Sequence, residues 1–305
     1  MNAPSPEPQP TTAAAPPSPV LTAPKPLAKA VEDAMYKKAV APFGQMFLQT
    51  LTGGAFIALG FIFMVTTQQG MGEWPVGFAK LIGGLVFSAG LALVVISGSD
   101  LFTGTTMTLM PRLSGRISTG RMFGHWGISL VGNFLGSLLM AVLILLAGTH
   151  ASNGSAWGLV VLNSTQTKLG YDWHQAFVLG ILANFAVCLA VWIASAGKTV
   201  TDKILAVVGP IALFVATGFE HSVANMFMLP MGWLIKNFAG DGFWQGEAMQ
   251  EAGRSLEDYA SITAGSALWD NLIPVILGNI VGGGVFVGVY FWATYRRGDD
   301  DLAKS

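Results

Sequence analysis

Two interruptions decide how this chain is read: SGSDLFTGTT at residues 97–106 and TGFEHSVAN at residues 217–225. Each sets small, polar and acidic residues inside an apolar run too long for one ordinary membrane helix, residues 80–110 and 203–235. A bilayer core takes about 20 residues of helix. Inside hydrocarbon every backbone donor and acceptor must be satisfied, so irregular backbone persists only where it is buried in protein or lines a polar cavity. The two breaks therefore predict a pore or binding site at mid-membrane depth.

Four further segments of spanning length lie near residues 43–65, 123–147, 174–196 and 271–295, which makes six. The composition agrees, with 52% hydrophobic residues, 11% charged residues and a mean hydropathy of +0.56 over 305 residues. Soluble domains carry about 25% charged residues. The net charge of −1 and the lack of a basic stripe argue against nucleic-acid binding. One cysteine, Cys188, allows neither a disulfide nor a thiolate metal site and is read as an inert buried thiol.

Residues 1–30 are read as a disordered tail, since nine of the fifteen prolines fall before residue 27. They lack the basic start and continuous apolar block of a signal peptide. The expected organisation is this tail, a transmembrane domain over residues 31–297 and a short cytoplasmic tail over 298–305. With both termini inside, twelve of the sixteen Lys and Arg residues fall on the inner side. That asymmetry fixes the orientation, because basic loops stay cytoplasmic. The acidic residues Glu247, Glu251, Glu257 and Asp258 fall in the longest outer loop and are read as solvated.

The halves echo each other. The second span breaks at Gly98-Ser99-Asp100 and the fifth at Gly218-Phe219-Glu220. The third carries Gly132-Asn133-Phe134-Leu135-Gly136 and the sixth Gly278-Asn279-Ile280-Val281-Gly282. Three spans per half make the repeats inverted, and paired broken helices in inverted halves point to a midplane site. Half-helix N-termini there are expected to offer free N–H groups to an anion. Asp100 and Glu220 are read as structural caps on the half-helices, with cation ligation as the alternative. His221, following an acidic residue inside a break, is read as functional rather than as a packed core histidine, because imidazole titrates near neutral pH. Thr103 in the matching break would orient it. Lys168 is either an interfacial lysine reaching headgroups or a vestibule residue that concentrates anions. Phe87, Leu91 and Phe214 sit where an apolar constriction would form.

These motifs resemble the formate/nitrite transporter family, and among its members the formate channels. The resemblance runs from about residue 37 to residue 297. It rests on SGSDLFTG (97–104), SGRI (114–117), GNFLGSLL (132–139), LGILANFAVCLAVW (179–192), GFEHSVANMFMLPMG (218–232) and DNLIPVILGNIVGGG (270–284). It implies an all-α, aquaporin-like protomer of six helices, a symmetric homopentamer and one pore per protomer in a bacterial inner membrane. It also implies a pore histidine at His221 with Thr103 as partner, a vestibule lysine at Lys168 and a pore-lining asparagine at Asn184. The constriction residues would be Phe87, Leu91, Leu101, Phe102 and Phe214. Two features depart from the family: the proline-rich N-terminal segment is longer, and Asp100 stands where many members have Glu.

The expected function is a channel for small monovalent anions, formate first, with protons handled at His221 and no cofactor or metal. Nitrite and hydrosulfide are the alternatives within the family, and an aquaporin-type neutral-solute pore is the alternative outside it. An enzyme is disfavoured, because no HExxH, nucleophile elbow or Walker loop occurs.

Overall fold

A computed structural model describes residues 21–299 of the chain. Among these residues there is no strand, and six helices are long and apolar enough to cross a membrane. The first helix, α1 (Pro24–Val40), precedes them. Three spans follow as α2 (Phe43–Gln68), α3 (Val76–Ser97) and α6 (Thr119–Leu146). Between α3 and α6 the chain makes α4 (Phe102–Thr105), a 3-10 turn at Thr106–Thr108, and α5 (Leu109–Leu113). A helix not foreseen from the sequence, α7 (Ala156–Leu169), leads into α8 (Trp173–Ala196) and α9 (Val200–Thr217). After the second break comes α10 (Ser222–Phe238), then the short α11 (Asp241–Trp244) and α12 (Glu247–Glu251). The sixth span runs through α13 (Ala264–Ser266), α14 (Ile273–Asn279) and α15 (Tyr290–Tyr295), joined by π-helical turns at Ala267–Leu272 and Ile280–Val289.

Two trios of spans form the body. Helix α2 packs on α3 and α6, while α8 packs on α9 and on the sixth span; α3 against α9 joins the trios. The repeated Gly-Asn motif explains the tight pairing of α2 with α6 and of α8 with α14. A β-carbon on Gly136 would overlap the Leu51 carbonyl oxygen, and one on Gly282 would overlap that of Ile181. Small residues of this kind let membrane helices approach closely.

Of the expected disordered tail over residues 1–30, residues 1–20 lie outside the described residues and residues 24–30 are helical, since α1 begins at Pro24. Proline at the first helical position suits a helix start, since its missing N–H would have no partner there. Helix α1 buries Leu27, Val31 and Met35 against Met107, Met110, Trp192 and Val287. The buried Glu32 carboxylate fastens it, accepting from Arg116 (3.2 Å) and Arg296 (2.7 Å). The Arg116 guanidinium is held above its usual range by hydrogen bonds to Asp33 and Glu32, which outweigh burial. Of the expected C-terminal tail only residues 298 and 299 are described, and Asp299 pairs with Arg296 and Lys25. The acidic residues Glu247, Glu251, Glu257 and Asp258 are all exposed.

Candidate permeation site

Both breaks are built by the same hydrogen bonds. Gly98 and Gly218 end α3 and α9 with φ of +73° and +76°, a left-handed geometry that glycine adopts without steric cost. The chain then runs extended to Leu101 and His221, where α4 and α10 begin. In the first break the Asp100 N–H donates to the Gln49 carbonyl (2.9 Å), and in the second the Glu220 N–H donates to Leu179 (3.2 Å). Asn133 Oδ1 accepts from the Phe102 N–H (2.7 Å), while its Nδ2 donates to the carbonyls of Thr50 (2.6 Å) and Asp100 (2.9 Å). Asn279 repeats this with the Ser222 N–H (2.9 Å) and the carbonyls of Gly180 (2.8 Å) and Glu220 (3.1 Å).

These bonds correct two expectations. Asp100 and Glu220 do not cap the half-helices; the asparagines Asn133 and Asn279 do, because their amides reach across from α6 and α14. The first N–H groups of the half-helices are likewise not open to a ligand at Phe102, Ser222 and Ala224. The last of these donates to His221 Nδ1 at 3.1 Å, so the histidine caps its own helix. The carboxylates instead hold lysines. Lys38 Nζ donates to Asp100 Oδ1 (2.9 Å) and Lys168 Nζ to Glu220 Oε1 (2.7 Å).

Each lysine faces a cavity. One cavity, of about 250 Å³, is lined by Phe87, Phe214, His221 and Tyr171, with Lys80, Lys168 and Glu220 as its charged residues. The other, of about 200 Å³, is lined by Leu91 and Leu101, with Lys38, Lys203 and Asp100 as its charged residues. Each cavity thus carries two lysines and one carboxylate. Burial, then the Glu220 charge, pushes the Tyr171 phenol up, so it stays protonated. Phe87 and Leu91 lie four residues apart on α3, about 6 Å along the axis, so little more than a helical turn of wall separates the cavities.

At that wall the Phe87 ring meets Phe214 edge-on (centroids 5.7 Å apart), and Phe214 stacks on the His221 imidazole (5.6 Å). His221 Nε2 lies 3.1 Å from the hydroxyl of the fully buried Thr103. Because Nδ1 accepts from Ala224, the ring proton of the neutral imidazole sits on Nε2 and is donated to Thr103 Oγ1.

Of the residues expected at the pore, Thr103, Phe102 and Asn184 line neither cavity. Phe102 packs edge-on against Trp126 (6.4 Å). The Asn184 amide donates to the carbonyls of Thr103 (3.0 Å) and Asn279 (2.6 Å), which makes it a clamp between the first break and α14. Two residues that hold the first break, Lys38 and His125, were not singled out from the sequence. The signal for Lys38 was the repeat itself, since a lysine partner for Glu220 implies one for Asp100. Cys188 is buried, its thiol donating to the Thr103 carbonyl (3.5 Å).

Comparison with known proteins adds an independent line. The model of the family described as Formate/nitrite transporter matches residues 25–293. The chain is 42% identical to the formate channel FocA of Escherichia coli (strain K12), over 92% of this chain and 96% of that protein. It is 48% identical to the formate channel FocA of Haemophilus influenzae, over 84% and 88%. A solved structure described as a pentameric formate channel with formate bound superposes with a TM-score of 0.78. Identity there is 40%, over 85% of this chain and 98% of that one.

Proposed function

The chain belongs to the formate/nitrite transporter family, and from that premise we propose that it is an inner-membrane channel for small monovalent anions, formate foremost. It works as a homopentamer with one pathway through each protomer, two inverted halves meeting at the breaks. The observation that carries the anion reading is the balance of charge in the two cavities, two lysines against one carboxylate in each. Such charge in a low-dielectric cleft raises the local concentration of anions and repels cations.

An anion enters either cavity, then meets the apolar ring of Phe87, Leu91, Leu101 and Phe214. Crossing that ring strips water, which excludes hydrated cations, whose dehydration nothing there repays. For the anion the lost hydration is replaced by two donors, the His221 Nε2–H and the Thr103 hydroxyl, which turn from each other to the ligand. Hydrogen bonds to a charged partner are about twice as strong as neutral ones.

Handing a proton to formate is the second role of His221. It requires a second proton on Nδ1 first, which displaces the Ala224 N–H and forfeits the helix cap, a cost of about 1 kcal/mol. It also places a cation on a buried ring that shares its cavity with Lys168, so the second proton is taken up together with the anion, whose charge offsets it.

Uptake of labelled formate into proteoliposomes, in competition with nitrite and hydrosulfide, tests the reading. Strongest competition by unlabelled formate is expected. Osmotic swelling without any anion dependence would instead establish a neutral-solute pore.

A further inference from the structure

The two breaks share the Asn133 and Asn279 contacts, and they differ in what holds the second carboxylate oxygen. Glu220 Oε2 accepts from two amides, Asn225 Nδ2 (2.6 Å) and Asn271 Nδ2 (3.0 Å). Asp100 Oδ2 accepts from an imidazole, His125 Nε2, at 2.7 Å. An amide does not titrate, whereas an imidazole does. His125 is 1% exposed, and since Nε2 donates to an ionised carboxylate, Nδ1 is left a bare acceptor with no partner. One turn along the same face of α6, the Ser129 hydroxyl is also buried without a partner.

We propose that His125 is a positioning residue that couples anion entry from the α1 side to the pH on that side. Resting on the anion-channel reading, it adds a second titratable group on the α1-side cavity, separate from His221. Proton uptake at Nδ1 turns the cluster Lys38–Asp100–His125 from neutral to a charge of +1. Asp100 then shares its charge between two cations, its hold on Lys38 loosens, and the ammonium is freed into the cavity.

The surroundings leave this balance to few groups. From α1 come Lys38 and the exposed Lys37, with Glu32 and Asp33 already engaged by Arg116 and Arg296. On α6 itself Arg121 donates to the carbonyls of Ala39 and Ala41. Helices α2 and α4 contribute no acidic or basic residue, and Arg112 of α5 donates to Thr119. At α10, His221 is engaged with Thr103 and Ala224, and Lys236 with the carbonyls of Ala260 and Ile262. Asp100 is thus the carboxylate that answers to His125.

The test uses the full chain in proteoliposomes, with orientation read from protease access to a tag before residue 1. Labelled formate entry from the α1 side is followed as pH on that side is stepped from about 7.5 to about 5.5. Wild type is expected to respond about tenfold more steeply than His125→Asn, which copies the amides at Glu220. Both should give the same entry at the higher pH and the same response to a step on the opposite side. An equal α1-side response in the two proteins overturns the role of His125. If His125→Asn does not fold, Asp100→Asn serves: entry at the higher pH should reach the wild-type low-pH rate, and slower entry overturns the idea. Absence of formate flux in wild type at every pH would instead defeat the channel reading, and this inference with it.

Discussion

Thr103 Oγ1 and His221 Nε2, separated by 118 residues in sequence, lie 3.1 Å apart and tie the two breaks directly together. The bond exists because His221 Nδ1 is committed to the Ala224 N–H, which fixes both the ring's orientation and the nitrogen that carries its proton. Capping and permeation therefore use opposite edges of one imidazole and can be separated by substitution.

His221→Asn keeps an N-capping side chain and loses the donor toward Thr103; His221→Phe loses both. Both variants are expected to conduct formate poorly relative to wild type, and only the Phe variant to lose about 1 kcal/mol of stability with the cap. Thermal unfolding in detergent beside proteoliposome flux separates the effects. The Phe variant should also lose the response of flux to pH on the side opposite α1, where His125 takes no part; if it retains that response, the proton role of His221 is wrong.

Asn133→Leu and Asn279→Leu each strand a buried N–H and two carbonyls. At about 1–3 kcal/mol for each orphaned group, the breaks should not survive. Little folded protein is expected in the membrane fraction for either variant. Wild-type yield and melting temperature would show that the amides are dispensable.

Gly136→Ala and Gly282→Ala push a methyl into the backbone of the facing helix, at Leu51 and Ile181. Overpacking of this kind costs about 1–3 kcal/mol. Gly124→Ala, with nothing within 4 Å of its added carbon, is the matched control and should melt like wild type. Equal melting of all three would contradict the close helix approach.

Lys168→Met leaves the buried Glu220 carboxylate with its two amides alone and removes a cavity charge. The single variant should lose about 3 kcal/mol of stability, as buried pairs do when one partner is removed. Lys168→Met with Glu220→Gln should regain stability and still show weaker salt dependence of anion entry, because steering by charge is screened by salt. A double variant that stays as unstable as the single one would assign the loss to packing.

Much of this architecture was legible in order along the chain. Six spans follow from run length and hydropathy, and the breaks follow from small, polar and acidic residues where hydrocarbon tolerates none. His221 and Thr103 were legible through the same logic, since a costly residue at such depth requires a reason; Lys168 was left open between headgroups and vestibule, and only its contact with Glu220 puts it on a cavity. Helix α1 was hidden because prolines and a weak apolar pattern conceal a helix whose burial depends on partners more than 60 residues away, Met107 and Val287 among them. Helix α7 was hidden because its apolar run, residues 156–162, is too short to cross a membrane and its second half, residues 163–168, is polar.

The sequence by itself determined where the backbone breaks, because the membrane's demand for satisfied hydrogen bonds acts locally on any segment that enters it. Which side chain meets that demand was decided only in three dimensions. Asp100 and Glu220 are near enough along the chain to cap the half-helices, yet Asn133 and Asn279 take that place. The asparagine amide can accept and donate at once, matching an N–H and two carbonyls, whereas a carboxylate can only accept and is drawn to a lysine instead. A choice among competing partners is made by the distances that packing imposes, and spacing along the chain does not contain them.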